Sequence, residues 1–192
     1  LDLAALYTST MARTLETAAY ISQASGLPTL TDDRLREFGN CYATGAPVPP
    51  EAMPVQYAEF WGTERPFQCI SDQGESWMLF RVRVGAFLDD VLDRHGDAPP
   101  EKVVAVVCHG GVIDAMFDTI FNIGPERRVE IWTHNTGIVH WEYRPDITRE
   151  KWRLHAHGLV HHLSEGGDEW LGSSPMLRDA GRPATPIPGS PD

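Results

Sequence analysis

The chain has 192 residues, of which 42% are hydrophobic and 22% are charged, as is typical of one globular domain. Its net charge of -11 excludes nucleic acid as the main partner, because a phosphate backbone requires a basic surface. No apolar run is long enough to cross a membrane. The three cysteines have no metal-binding spacing, and we expect free, buried thiols in a reducing, cytoplasmic compartment.

The first predicted element is a buried strand at residues 3–9, the apolar and β-prone run LAALYTS. We expect Thr10 to cap the helix that follows and Gly26 to end it. Residues 31–68 are rich in proline, glycine and aromatic residues, which predicts a long loop acting as a lid or an insertion. The apolar stripe of the first helix is expected to contain Met11, Leu15, Ala18 and Ala19.

Residues 74–95 show helical spacing of apolar positions, and residues 102–108 (KVVAVVC) predict a strand buried on both faces. A helix then runs to Gly124, and three late strands are predicted in RVEIWTHN, GIVHWEY and WRLHAHGLV. The alternation predicts an α/β three-layer sandwich, with a mainly parallel sheet and helices on both faces. We expect one domain over residues 1–165 and a loosely packed Pro/Gly-rich tail over 166–192.

Two predicted strands end beside residues suited to binding an anion. His109 follows the second strand, and Gly110 begins a helix whose free N–H groups favour negative charge. Ser9 ends the first strand, and Arg13 lies in the first turn of the next helix, from which a guanidinium can fork onto phosphate oxygens. The alternatives are a histidine that only caps a helix and an arginine that is only solvated.

Five segments, in order along residues 3–163, resemble the histidine phosphatase superfamily, also called phosphoglycerate mutase-like. YTSTMARTLETA resembles its SxxxRAxxTA segment, and RLREFGNCYATG its LxE…G segment, with an acidic residue at Glu37. QGESWMLFRVRVGAFLDDVL resembles its GES…Rv helix, with Arg83 at the arginine position. VVAVVCHGGVI resembles its second-histidine motif, and HNTGIVHWEY its late Nxsi strand.

The resemblance implies a mechanism through a phosphohistidine. His109 and Arg13 would hold the phosphoryl oxygens, Ser9 and Gly110 would contact the substrate, and Glu37 would exchange a proton with the leaving oxygen. It implies no cofactor and no metal. The expected partner is a small phosphorylated metabolite, with neither nucleic acid nor membrane, and a homodimer is left open. For Glu37 the alternative is a surface carboxylate.

The sequence departs from the family in its nucleophile. The family carries an Arg-His-Gly triplet after a first, central strand, a unit of roughly 30 residues or more with its crossover, and this chain begins at the segment that follows. Its one such triplet is residues 94–96, at a helix end about one strand length, roughly 20 Å, from His109. We therefore expect His95 to be non-catalytic. Because the sequence begins with Leu1, we expect the first strand to be truncated from it, so that this chain alone is inactive.

The expected function is hydrolysis of a small phosphate monoester. A phosphoglycerate mutase-type isomerase and a non-catalytic phosphate-ester or protein-binding homologue are the alternatives. A zinc site at His155 and His157 is disfavoured, since no cysteine or carboxylate lies at a suitable spacing. The stretch from Cys41 to Gln73 is expected to cover the pocket with aromatic residues, namely Tyr42, Tyr57, Phe60, Trp61 and Phe67.

Overall fold

Strands and helices alternate along the chain. A computed structural model describes residues 2–49, Ala52, and residues 65–99 and 101–166. Short 3-10 helices at Asp33–Leu35 and His161–Gly166 complete the elements described. The main elements in chain order are β1 (Asp2–Ser9), α1 (Ala12–Ser25), β2 (Thr29–Asp32), α2 (Trp77–His95), β3 (Lys102–Val107), α3 (Gly110–Ile120), β4 (Ile138–Tyr143) and β5 (Trp152–Leu159).

The strands form two separate sheets. β2, β1 and β3 make a parallel sheet in that order, with β1 at the centre. β4 and β5 form an antiparallel pair, and Trp141 of β4 packs edge-on against Phe117 of α3 with ring centroids 4.9 Å apart. This arrangement confirms the predicted α/β class. Within the described residues β3 pairs with β1 alone and β4 pairs with β5 alone, so each has one edge without a neighbouring strand.

The two faces of β1 bury different helices. Ala5 and Tyr7 alternate to the face that carries α2 and α3, and the Tyr7 ring meets Phe87 of α2 edge-on at 5.5 Å. Leu6 lies on the other face, toward α1, and is fully buried. Burial of the Leu6 side chain contributes about 1.5–3 kcal/mol by removing it from water. The core on the α2 side centres on a cluster of Phe38, Trp77 and Phe80.

Two predicted helix boundaries are wrong. Thr10 does not cap α1: its hydroxyl donates to Asp33, and Met11 occupies the cap position without a side-chain hydrogen bond. The buried positions of α1 are Thr14 and Ala18, so the expected apolar stripe is shifted. α3 ends at Ile120 instead of continuing to Gly124, because the chain turns away with Asn122 at a positive φ of 54°. Gly26 does end α1 in the left-handed conformation, as predicted.

The strand predictions need three corrections. Residues 128–135 form no strand, although RVEIWTHN is rich in β-prone residues. β3 is only half-buried from Val103 onward, because one of its edges has no strand beside it among the described residues. Thr29–Asp32 is a short parallel edge strand that lies partly within the predicted loop. The other two late strands are confirmed as β4 and β5.

The predicted lid lies only partly within the described residues. Cys41 and Pro47 form an isolated antiparallel bridge, and Tyr42 bridges to Gly74, so this part of the stretch folds back on itself. Tyr57, Phe60 and Trp61 fall outside the described residues, as does the tail beyond residue 166. All three cysteines are free, but only Cys41 is buried, whereas Cys69 and Cys108 are partly exposed. None of the described helices is long and apolar enough to cross a membrane.

Candidate active site

The register of the parallel sheet brings Ser9 and His109 together. Thr8 of β1 pairs with Val107 of β3, so the chain leaves both strands at the same edge of the sheet. There the His109 Nε2 lies 3.0 Å from the Ser9 hydroxyl oxygen. The first turn of α1 then brings in Arg13, whose Nε–H donates to His109 Nδ1 at 3.2 Å. Three of the predicted site residues are therefore in direct contact.

These contacts define the charge and the tautomer of His109. Arg13 donates to Nδ1, so that nitrogen must be the acceptor and the ring proton is on Nε2, directed at Ser9. Burial lowers the pKa of His109 to about 3, and the positive charges of Arg13 and Arg83 reinforce the effect. The imidazole is thus neutral near pH 7 and offers one N–H donor. Its side chain makes no capping bond to α3, which argues against the alternative of a mere helix cap.

Glu37 reaches the same place from the loop after β2. Its Oε2 accepts from the Gly111 N–H at 3.2 Å, in the first turn of α3, and its Oε1 accepts from the Phe38 N–H at 2.8 Å. Burial raises the pKa of Glu37, while these two backbone donors and the charge of Arg13 oppose the rise. A raised pKa favours the protonated carboxyl group, which is the form that can give a proton to a leaving group.

A buried ion pair holds the Glu37 loop in position. Arg83 Nε donates to Glu75 Oε2 at 2.8 Å, and both side chains are almost inaccessible to solvent. The Arg83 guanidinium also donates to the backbone carbonyls of Arg34, Arg36 and Glu37. Glu75 in turn accepts from the Gly39 N–H at 2.8 Å. The sequence placed Arg83 by resemblance and missed Glu75, although the same GES segment contains it.

A cavity of about 180 Å³ opens beside Glu37. On one side lies the start of α3 with Gly110 and Gly111, and on the other the segment of residues 127–133. Asp114 holds that segment, because it pairs with Arg127 and accepts from the Ile131 N–H at 2.7 Å. The sequence gives no sign of this contact, since residues 128–135 predict a strand and Asp114 lies within a predicted helix. All five predicted site residues are thus brought to one edge of the sheet, Gly110 as part of the cavity wall.

His95 lies at the end of α2 and hydrogen-bonds the Tyr7 hydroxyl at 3.1 Å, with the two rings edge-on. Gly96 follows in a right-handed conformation, so the helix ends there as predicted but without a left-handed residue. Any Cβ at Gly96 would stand 2.5 Å from the Leu92 carbonyl oxygen, which accounts for the glycine. The triplet at residues 94–96 thus has a structural explanation.

The late histidines have separate partners. His155 lies 2.7 Å from Glu142 and stacks on His140, whereas His157 contacts the Thr133 hydroxyl. Across the described residues, no group of three or more histidine, cysteine or carboxylate side chains is arranged to hold a metal ion.

Comparison with known sequences gives a family match along most of the chain. The histidine phosphatase superfamily (branch 1) matches residues 1–159. A probable phosphoglycerate mutase GpmB of Yersinia enterocolitica is 28% identical over 163 residues, which are 82% of this chain and 72% of that protein. Phosphoserine phosphatase 1 of Hydrogenobacter thermophilus is 28% identical over 146 residues, which are 74% of this chain and 66% of that protein.

Solved structures share the fold. YhfR of Bacillus stearothermophilus superposes with a TM-score of 0.65 at 21% identity, over 85% of this chain and 77% of that one. A mycobacterial glucosyl-3-phosphoglycerate phosphatase gives a TM-score of 0.63 at 18% identity, over 83% and 78%. A mutant phosphoserine phosphatase of Entamoeba histolytica, in complex with phosphoserine, gives 0.57 at 20% identity, over 83% and 75%.

Proposed function

Because the chain belongs to the histidine phosphatase superfamily, we propose that it serves the hydrolysis of a small phosphate monoester through a phosphohistidine, with a nucleophilic histidine that is not among its own residues. The observation that carries this proposal is the contact of Arg13 and Ser9 with a neutral His109. Two residues further on, the Gly111 N–H binds Glu37, a carboxyl group of raised pKa. Three donor groups and the start of α3 suit the oxygens of a phosphoryl group.

The proposed reaction has two steps. An imidazole nitrogen attacks phosphorus, the N–P bond forms as the P–O bond to the alcohol breaks, and Glu37 gives its proton to the leaving oxygen. Water then attacks phosphorus, its proton passes to the Glu37 carboxylate, and the N–P bond breaks to release inorganic phosphate. Arg13 and the His109 Nε2–H stabilise the charge on the phosphoryl oxygens in both steps.

Two features support a nucleophile that comes from outside this set of residues. His109 already bonds Arg13 through one ring nitrogen and Ser9 through the other, which leaves neither nitrogen free to attack phosphorus. β3, directly before it, has an edge without a strand among the described residues, where a further parallel strand would end next to His109. The family's Arg-His-Gly strand fits that position, and we expect the 192-residue chain alone to show no turnover.

Two alternatives have support of their own. A non-catalytic phosphate-ester binder is favoured by the partners of His109, neither of which is an imidazole. A mutase is favoured by the likeness to the protein named a probable phosphoglycerate mutase. A mutase must exclude water from the phosphohistidine, and half-buried Glu37 beside an open cavity suits a hydrolase better.

Binding of inorganic phosphate and vanadate, measured by calorimetry without added metal, tests the proposal. We expect Arg13→Gln and His109→Ala each to weaken phosphate binding by about tenfold or more, the loss of one charge-assisted hydrogen bond. Arg149→Gln is the control, because Arg149 is exposed in the β4–β5 connection. Unchanged phosphate affinity in both Arg13→Gln and His109→Ala would contradict the proposed phosphate site. Turnover of a generic phosphate monoester that disappears in His95→Ala would instead make His95 the nucleophile.

A further inference from the structure

The cavity beside Glu37 lies where the alcohol of the substrate must go, if the proposed function is right. In that reaction the phosphoryl oxygens are held at Arg13 and His109, and the bond that breaks ends on an oxygen facing Glu37. The remainder of the alcohol then extends past Glu37, which itself lines the cavity. Ligand pockets for drug-sized molecules begin at about 300 Å³, so a cavity of about 180 Å³ suits a small alcohol.

The cavity has an acidic lining. Glu37, Asp114 and Glu130 contribute carboxyl groups, whereas Arg127 is the one cation among the described residues that line it. The Arg127 guanidinium is almost fully buried against the Asp114 carboxylate, so its charge is balanced inside the wall. Glu130 lies 3.9 Å from Arg127, and its side chain is 54% exposed. Asp114 balances Arg127, and Glu37 is protonated when it acts as the acid of the proposed reaction. The Glu130 carboxylate therefore leaves the lining with a net negative charge, which attracts a cation and repels an anion.

Trp132, two residues after Glu130, is the aromatic residue among the described residues that line the cavity. Trp132 is 46% exposed and packs edge-on against His134, with the ring centroids 6.2 Å apart. An ammonium group is attracted both to the face of an indole and to a neighbouring carboxylate. Ile131, between the two, is fixed by its backbone hydrogen bond to Asp114, which holds this stretch of the wall in place.

From these features we propose that the cavity selects an alcohol that carries an ammonium group and no carboxylate, so that the substrate is a phosphate ester of a small amino alcohol. Glu130 and Trp132 are the specificity-determining residues, and Asp114 is a positioning residue that acts through residues 127–131. This inference rests on the proposed function, because it takes Arg13 and His109 as the phosphate site.

Binding of three probes to the 192-residue chain, measured in competition with one another, tests the inference. O-phosphoethanolamine carries the ammonium, 3-phosphoglycerate carries a carboxylate, and glycerol 3-phosphate carries neither. We expect O-phosphoethanolamine to bind about fivefold to tenfold more tightly than 3-phosphoglycerate, with glycerol 3-phosphate between them, as one partly exposed ion pair and one cation–π contact imply. Equal affinities, or tighter binding of 3-phosphoglycerate, overturn the inference.

Glu130→Gln should reduce the preference for O-phosphoethanolamine over glycerol 3-phosphate by about threefold to fivefold. Glu126→Gln is the matched control: it lies in the same segment of chain, pairs with Arg128 and does not line the cavity. An unchanged preference in Glu130→Gln rejects the specificity role. If inorganic phosphate binds and Arg13→Gln weakens it while the three esters bind alike, only the inference fails. If a folded chain binds none of the probes, the proposed function fails with it.

Discussion

Arg13 and His109 are separated by 96 positions in the chain, yet the Arg13 Nε–H donates to the His109 Nδ1 at 3.2 Å. This contact joins the first turn of α1 to the end of β3 and makes the imidazole an acceptor on that side. A proton on Nδ1 would displace the donor and place two positive charges together. The same contact that prepares His109 to donate from Nε2 therefore opposes its protonation.

The stability of the protein should depend on pH through His109. Its pKa is about 3 in the folded chain, below its ordinary value of 6.5, so between these values the unfolded state binds more protons. The free energy of unfolding should thus fall as pH falls from 6.5 toward 3, and this group should account for on the order of 4 kcal/mol of the fall.

Urea unfolding at several pH values measures this fall in the free energy of unfolding. In His109→Gln the dependence over this range should be weaker, whereas His140→Gln, at an exposed position, should retain it. Parallel pH profiles for wild type and His109→Gln would contradict the assignment.

Removing the charge of Glu37 should strengthen phosphate binding. Burial raises the pKa of this carboxyl group, and its ionised form repels an anion held at Arg13 and His109. We expect Glu37→Gln to bind inorganic phosphate about threefold to tenfold more tightly above the raised pKa and equally at acidic pH. Calorimetric titration across pH provides the comparison. Glu101→Gln, exposed before β3, is the control and should match the wild type. A Glu37→Gln protein that binds phosphate more weakly at every pH would show that Glu37 does not face the anion.

The sequence predicts a site residue best where that residue lies at the end of a predicted strand. Ser9 ends β1 and His109 follows β3 by two residues, so the two residues meet because these strands are parallel neighbours. Arg83 was placed by resemblance, but its bonds to three backbone carbonyls depend on how the Glu37 loop lies over α2. The β-prone residues 128–135 predict a strand, and this prediction overlaps the part of the chain that lines the cavity.

Residues 127–133 show why the cavity could not be predicted from the sequence. This segment forms no strand, and its place is fixed by Asp114, a buried carboxylate that reaches it from the second turn of α3. A single acidic residue within a helix gives no sign in sequence of which distant backbone N–H it will accept from. The cavity and its acidic lining form only where α3 packs against this segment, and the sequence of neither one indicates that contact.

Breaking the buried Arg83–Glu75 pair should destabilise the protein strongly. Arg83→Met would leave the Glu75 carboxylate buried without its cation, and three backbone carbonyls would lose a donor. We expect the free energy of unfolding to fall by about 3–5 kcal/mol. Arg128→Met removes an exposed ion pair with Glu126 and should cost less than about 1 kcal/mol. Denaturant titration compares the two, and similar losses would mean that the buried pair does not fix the Glu37 loop.

A methyl group at position 110 should block the phosphate site without unfolding the chain. Gly110 is the first residue of α3, and a Cβ built there has no atom within 4 Å, so Gly110→Ala fits the folded backbone. Alanine also reduces the entropy of the unfolded chain, so we expect stability equal to that of the wild type or higher by up to about 1 kcal/mol. The methyl group would occupy space at the start of α3, and we expect phosphate affinity to fall by about tenfold, which corresponds to the loss of one well-formed contact to a charged ligand.

Gly124→Ala is the matched control. A Cβ built at Gly124, on the connection after α3, also has no atom within 4 Å. Calorimetry and thermal unfolding of both variants separate the two effects. Phosphate binding in Gly110→Ala that equals the control would show that the anion does not sit against the start of α3.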